Sequence, residues 1–268
     1  MIAAGESRCA TIAIGRVAVG IRATDAAFLG MLEQRYAGFI DDGATPHYAF
    51  DVSLTPPEVA DADADLRVVR DGRRWRIERG DFRADWDPLL RRGRICQSPN
   101  PYSIDSVLRI VHTLVLAGEG GFLMHAASAV RGGRAFLFTG ASGAGKTTIA
   151  RLAPADVRLL SDEISYVRCE DDEYRAYGTP FAGELAKAGE NLRAPIAAIY
   201  VLAQGPENRI DDMSAADAAR SLLANILFFA EDPDLVRAVF RAALDCAERV
   251  PIRRLTFVPD ARVWELVR

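Results

Sequence analysis

Residues 134–163 read RAFLFTGASGAGKTTIARLAPADVRLLSDE, and this stretch decides the fold class. Its centre, Gly140–Thr147, fits the pattern G-x-x-x-x-G-K-[ST]. The glycines of this pattern let backbone N–H groups turn inward and form an anion-binding nest. The apolar run before the loop predicts a buried strand, and the residues after it predict the start of a helix whose positive end faces the loop. Strand, glycine-rich loop and helix in this order predict an α/β nucleotide-binding domain.

Lysine is rare in this chain, and that rarity makes its place in the loop informative. The sequence has 33 Lys plus Arg, of which only Lys146 and Lys187 are lysines. An ammonium group is a compact charge, whereas a guanidinium is a wide planar fork. We therefore expect Lys146 to bind the β- and γ-phosphates and the hydroxyl of Thr147 to join a Mg²⁺ shell. The predicted nucleotide-binding residues are Gly140, Ala141, Ser142, Gly143, Ala144, Gly145, Lys146, Thr147 and Thr148.

An acidic pair, Asp162–Glu163, follows Lys146 by sixteen residues and comes after the apolar run VRLL. This placement predicts the carboxyl end of a strand, where the ligands of α/β sheets bind. One carboxylate there can hold Mg²⁺ directly or through water, and its neighbour can accept a proton from an attacking hydroxyl. The alternative is a solvated strand end without a chemical role.

Composition excludes several classes of protein. A net charge of −4 and a pI near 5.5 argue against general nucleic-acid binding. No apolar run reaches the roughly 18–20 residues that span a bilayer, so we expect no membrane partner. The four cysteines have no metal-ligand or disulfide spacing, which indicates reduced thiols in a cytoplasmic protein; they are Cys9, Cys96, Cys169 and Cys246.

The hydrophobic patterns divide the chain into two domains, a β-rich N-terminal domain over 1–101 and an α/β domain over 102–268. The first contains strand patterns, a helix after Asp25 and a hairpin turn at Asp71–Gly72. The second begins with a helix for which Ser103 is the predicted cap. Its later helices are predicted over about 214–229 and 233–248 and at the C-terminal end of the sequence.

The second domain resembles HPr kinase/phosphorylase and its HPr-kinase-like relatives. The resemblance covers about residues 102–268 and rests on FTGASGAGKTT (138–148), LLSDE (159–163), YGTPFAGE (177–184), APIAAIYVLAQ (194–204) and His125. It implies an α/β fold: an HPr kinase/phosphoenolpyruvate carboxykinase-like P-loop domain that follows a smaller β-rich α+β domain. The overall layout resembles the HPr-kinase-like proteins of peptide-modification gene clusters, including lasso-peptide kinases.

The resemblance implies an ATP- and Mg²⁺-dependent kinase that phosphorylates a Ser or other hydroxyl of a protein or precursor peptide. Asp162 then matches the catalytic base, and Glu163 matches the residue that holds Mg²⁺ with Thr147. His125 matches the family histidine near the catalytic acid residue, and Arg193 matches an arginine ahead of a buried strand. For His125 the alternative is a core histidine bonded to a backbone carbonyl; for Arg193 it is a surface residue.

This sequence departs from the family pattern in three ways. The acidic pair is Asp-Glu instead of Asp-Asp, and the loop ends in Thr instead of Ser. The later phosphorylase signature of the family is missing. These departures favour kinase activity over reversible phosphorylase activity. The family also forms oligomers, which implies a homo-oligomer here.

Two other functions remain open: a nucleotide-binding regulatory or scaffold protein without transfer chemistry, and a small-metabolite kinase. A guanine-specific GTPase is excluded because neither lysine lies in an [N/T]-K-x-D motif. Residues 67–94 contain ten arginines and five acidic residues, with aromatic residues between them. This segment predicts either the docking of an acidic acceptor peptide through Arg73, Arg74 and Arg76 or an ordinary solvated hairpin face.

Overall fold

The chain is a mixed α/β protein with two sheets, seen in a computed structural model that describes residues 8–56, 61, 63–185 and 187–268. Residues 1–7, 57–60 and 62 of the predicted N-terminal domain, and Ala186, lie outside the described residues. The chain divides into two compact units. The first comprises the residues up to His112 together with Phe229–Pro233, and the second comprises Thr113–Phe228 and Asp234–Arg268.

The first unit is built on a sheet with the strand order β1-β2-β3-β7-β6-β5-β4. Strands β2 and β3 are parallel, as are β3 and β7, and the other neighbours are antiparallel. Its elements are β1 (Arg8–Ile14), β2 (Val17–Ala23), α1 (Ala26–Arg35), a 3-10 turn (Ala37–Phe39), β3 (Tyr48–Leu54), β4 (Arg67–Asp71), β5 (Arg74–Arg79), β6 (Phe82–Asp87), β7 (Arg92–Gln97) and the start of α2 (Pro101–Gly118).

Local sequence signals account for the turns and caps of this unit. Gly72, at a φ of 60°, makes the predicted turn between β4 and β5. The side chain of Asp25 accepts the N–H of Phe28 at 2.8 Å and caps α1, so the helix starts where the sequence predicts it. These two elements need only local chemistry, so the sequence places them correctly.

The predicted cap of α2 is wrong. The helix begins at Pro101, and the side chain of Asn100 accepts the N–H groups of Tyr102 (2.9 Å) and Ser103 (3.0 Å). Proline suits the first helical position because it lacks the N–H group that would be left unbonded there. Ser103 is buried in the first turn and donates its hydroxyl to Asp81 at 2.6 Å. The predicted domain boundary falls at the start of this helix, and the boundary between the compact units falls inside it.

The second unit is built on a mixed sheet in the order β10-β8-β11-β12-β13-β16-β14, with β9 between β8 and β13 and β15 beside β8. Strands β9 and β16 run parallel to β13, whereas β9, β10, β11 and β15 run antiparallel to β8. Its strands are β8 (Gly121–Arg131), β9 (Arg134–Thr139), β10 (Arg158–Ser161), β11 (Ile164–Glu170), β12 (Glu173–Tyr177), β13 (Arg193–Gln204), β14 (Arg209–Asp212), β15 (Ile226–Leu227) and β16 (Ile252–Phe257).

Apolar side chains cover both faces of this sheet, so its strands alternate between two cores. On one face, Leu137 and Ile199 lie in a cluster with residues of α4 and α5. On the other, Phe138 lies in a cluster with Ile149 and Trp264. The helical elements are α3 (Lys146–Arg151), α4 (Ala215–Leu223), α5 (Pro233–Arg249) and a 3-10 helix (Ala261–Glu265).

The structure corrects two predicted helices in this unit. The helix predicted over 214–229 ends at Leu223, and Ile226–Leu227 pair with β8 as a strand. An apolar run of this length fits a buried helix or a buried strand equally well, and the free edge of β8 decides between them. The predicted terminal helix is a 3-10 helix. Among the described residues, no helix is both long and apolar enough to cross a membrane.

The first testable prediction concerns Trp264, whose indole N–H donates to the carbonyl of Ile149 in α3 at 3.1 Å. Its ring packs edge-on against Phe138, with centroids 5.3 Å apart. We expect Trp264→Ala to lower the free energy of unfolding by about 3–5 kcal/mol through the cavity it leaves. Trp264→Phe keeps the ring but leaves a buried carbonyl unbonded, at a cost of about 1–3 kcal/mol.

Urea unfolding followed by circular dichroism measures both changes. The control is Arg262→Ala, an exposed change in the same 3-10 helix that should cost under about 0.5 kcal/mol. Equal stability of Trp264→Ala and the wild type would show that this contact does not hold α3 in place.

Candidate active site

Three glycines give the glycine-rich loop (Gly140–Thr147) its shape. Gly140, Gly143 and Gly145 have φ angles of 147°, 76° and 108°, in a region that favours glycine. At Gly145 space is also short, because a Cβ atom would lie 2.6 Å from the ring of Phe257. The loop follows β9 directly and leads into α3, which begins at Lys146. Backbone conformation and packing therefore both require glycine here.

Lys146 is held inside this loop. It is 8% exposed, and its ammonium group donates to the carbonyls of Gly140 (3.0 Å) and Ala141 (3.2 Å). Burial lowers the pKa of Lys146, while the negative charges of Glu163 and Glu184 act in the opposite direction. The cation thus lies beside the loop that the sequence predicts to bind phosphate, with acidic residues in its field.

Strand register brings the acidic pair to the same level of the sheet as this loop. On one side of β8, Ala126 pairs with Thr139, the last residue before the loop. On the other side, Ser128 pairs with Ser161 and His125 pairs with Ile164. Asp162–Glu163 therefore lie at the break between β10 and β11, next to the start of the loop across β8.

The carboxylate of Asp162 is buried and fully oriented by backbone groups. It is 3% exposed, and its Oδ1 and Oδ2 atoms accept the N–H groups of Gly183 and Leu185, each at 2.9 Å. Gly183 is crowded, since a Cβ atom there would lie 2.8 Å from Cβ of Glu163 and 3.0 Å from Oδ2 of Asp162. The segment YGTPFAGE, which the resemblance singles out, thus folds onto the acidic pair.

These elements enclose a cavity of about 290 Å³. Burial and the charge of Lys146 lower the pKa of His125, so this imidazole is neutral at pH 7. Glu184 is the one lining residue without a role predicted from the sequence, although it ends the segment YGTPFAGE. The lining residues are His125, Ser142, Gly143, Gly145, Lys146, Thr147, Thr148, Asp162, Glu163 and Glu184.

Arg193 does not lie at this cavity, which corrects its predicted catalytic place. It begins β13, pairs with Tyr177 and forms an exposed ion pair with Glu170 at 3.0 Å. The strand residue level with the start of the loop is Val201, which pairs with Thr139. Eight residues of extended strand separate Arg193 from Val201, which is roughly 26 Å. Arg193 is therefore a surface residue, which was the alternative to a catalytic role.

The predicted docking arginines of the first unit already have acidic partners. Arg73 and Arg74 lie 2.7 and 3.8 Å from the carboxylate of Asp87, and Arg76 lies 3.1 Å from that of Asp85. These contacts join neighbouring strands of one sheet. They favour the solvated hairpin face over a docking surface.

Comparison with known proteins identifies a matching family and distant similarity to solved structures. The family model described as "SynChlorMet cassette protein ScmC" matches residues 100–268. No curated protein matches the sequence. Among solved structures, the Hpr(Ser) kinase/phosphatase from Coxiella burnetii is 14% identical over 47% of this chain and 90% of its own, with a TM-score of 0.25. A TM-score this low supports no conclusion about fold or function.

The second testable prediction concerns the loop conformation. Gly145→Ala combines an unfavourable backbone angle with a Cβ atom against Phe257, so the loop must deform. We expect at least a tenfold loss of affinity for MgATP, measured by isothermal titration calorimetry. The control is Gly30→Ala, because a Cβ atom at Gly30 meets nothing within 4 Å. Equal affinity of Gly145→Ala and the wild type would exclude the loop as the nucleotide site.

Proposed function

This chain belongs to the family of the SynChlorMet cassette protein ScmC, and we propose a function for it. We propose that it is a P-loop phosphotransferase, which transfers the γ-phosphoryl group of ATP to a hydroxyl group of a peptide or protein. The preferred acceptor in this proposal is a serine hydroxyl. The family name states no reaction, so the proposal rests on the site. Its main support is the single cavity that brings Lys146 and the glycine-rich loop together with Asp162 and Glu163. An HPr kinase/phosphoenolpyruvate carboxykinase-like domain arrangement is part of the same proposal.

The glycine-rich loop binds the phosphate chain of the nucleotide. Its inward N–H groups and Lys146 supply the positive field, and Lys146 exchanges the carbonyls of Gly140 and Ala141 for phosphate oxygens. A cavity of about 290 Å³ lies just below the usual range for ligand pockets, roughly 300–1,000 Å³. It suits the phosphates better than a whole nucleotide, so the nucleoside extends outside it.

The residues at this site fit Mg²⁺. The hydroxyl of Thr147 and the carboxylates of Asp162 and Glu163 are hard oxygen donors that line one cavity. Mg²⁺ at phosphate sites takes one or two carboxylates and completes its shell with phosphates and water. When bound, Mg²⁺ neutralises negative charge on the phosphoryl group in transfer.

Asp162 is the proton acceptor in this proposal. Each of its oxygens accepts one backbone N–H, which leaves a second lone pair on each oxygen and fixes the direction of the carboxylate. The acceptor hydroxyl oxygen attacks the γ-phosphorus, the bond from that phosphorus to the bridging oxygen breaks, and ADP leaves. The hydroxyl proton passes to Asp162. His125 lines the same cavity and can offer a hydrogen bond there.

The third testable prediction separates transfer from binding. We expect Asp162→Asn to reduce phosphoryl transfer by at least about a hundredfold, because the amide cannot accept a proton. Its affinity for MgATP should stay within threefold of the wild type. Lys146→Ala should instead weaken MgATP binding at least tenfold, since it removes the cation of the loop.

Transfer is measured with γ-labelled ATP, Mg²⁺ and the peptides encoded by neighbouring genes, and binding is measured by calorimetry. Nucleotide bound without label in any peptide would favour the non-catalytic alternative. Label in a small metabolite alone would favour the metabolite kinase. Full transfer by Asp162→Asn would remove Asp162 from the role of base.

A further inference from the structure

The charged groups of the cavity are divided between two sets of chain segments. The glycine-rich loop and the start of α3 contribute Lys146, whose ammonium group supplies positive charge to the cavity. The break between β10 and β11, and the segment after β12, contribute the carboxylates of Asp162, Glu163 and Glu184. Three carboxyl groups and one ammonium group therefore line one cavity.

Glu184 is held in place by its backbone neighbours. The N–H groups of Gly183 and Leu185, on either side of it, both bond to Asp162 at 2.9 Å. Further along the same segment, Thr179 and Glu190 donate their N–H groups to Leu160 (3.0 Å) and Leu159 (2.9 Å) of β10. The segment therefore follows β10, and the Cα position of Glu184 at the cavity is set by these bonds.

The side chain of Glu184 is exposed and makes no ion pair with any residue in the described part of the chain. Its charge nevertheless reaches Lys146, whose pKa it raises against the effect of burial. Asp162, by contrast, is buried and bonded through both oxygens. Both carboxylates line the cavity, and that of Glu184 is the more exposed of the two to a molecule that approaches from solvent.

We infer that Glu184 determines the charge class of the acceptor and selects hydroxyls that have a cationic group, such as an Arg or Lys side chain, beside them in the acceptor chain. The inference rests on the proposed function. Nucleotide phosphates on the loop side fill the cavity with further negative charge. An acidic acceptor would be repelled by those phosphates and by Glu184, whereas a basic acceptor is attracted to both.

Glu184 selects by charge among the acceptor segments that enter the cavity. Arg73, Arg74 and Arg76 of the first unit predict an acidic partner, but Asp85 and Asp87 already neutralise part of their charge. Glu184 forms no close ion pair among the described residues, although its charge acts on Lys146. Its exposed carboxylate at the cavity therefore points to a basic acceptor segment.

The test uses a pair of serine peptide libraries that differ only in their flanking residues, Arg and Lys in one and Asp and Glu in the other. The remaining positions are randomised, and transfer from γ-labelled ATP gives kcat/KM for each library at low salt. We expect the wild type to prefer the basic library at least tenfold. Glu184→Gln should reduce this ratio at least fivefold, and Glu184→Lys should invert it.

The control is Glu248→Lys, which changes the charge of an exposed residue of α5 that does not line the cavity. Its ratio should equal that of the wild type. The preference of the wild type should also fall as ionic strength rises, because an exposed charge is screened. A ratio that depends on Glu184 but not on Glu248 identifies a local effect of the site.

Failure of the inference is distinguishable from failure of the proposed function. If MgATP binds and neither library is labelled, peptide phosphorylation is excluded and the inference falls with it. If both libraries are labelled equally, or if Glu184→Lys leaves the ratio unchanged, the role of Glu184 is overturned while the kinase remains. A preference of the wild type for the acidic library overturns the role of Glu184 as well.

Discussion

Four strands hydrogen-bond to β8, two on each of its edges, and this pairing determines where the chemical groups of the second unit lie. β9 and β15 occupy one edge, and β10 and β11 occupy the other. A shift of β8 by one residue would turn each of its side chains to the opposite face of the sheet. It would also move the glycine-rich loop after Thr139 relative to Asp162–Glu163, since both are set by their pairing with residues 125–128. The site is therefore a consequence of sheet register.

The hydrogen bonds of Asp162 connect the sheet to the segment around Gly183–Leu185, which forms neither helix nor strand. A buried carboxylate is costly unless hydrogen bonds replace its hydration, and two backbone N–H groups do so here. The same bonds bring Gly183 so close that only glycine fits without a shift. The same two hydrogen bonds thus orient the carboxylate of Asp162 and hold the backbone on both sides of Glu184.

The sequence predicts the glycine-rich loop because the signal is local: glycines, one lysine and the strand before them occupy adjacent positions. The helix capped by Asp25 and the turn at Gly72 are predictable for the same reason. Arg193 is misplaced because its distance from the loop depends on how β13 pairs with β9. Glu184 is missed because the bonds that place it join Asp162 to residues more than twenty positions later. Long-range pairing leaves no mark in a single sequence, so these parts require the structure.

The choice of lysine at position 146 has a physical reason in this arrangement. The space beside the loop is closed by Gly140 and Ala141, whose carbonyls accept from one ammonium group. A guanidinium directs five N–H groups in a plane and could not satisfy them all in this confined position. The ammonium is buried, and the carboxylates of Glu163 and Glu184 offset part of the cost of burying its charge. One electrostatic arrangement thus joins the rare lysine, the acidic pair and the segment that contains Glu184. In it, the negative charges of the carboxylates stabilise the buried ammonium group.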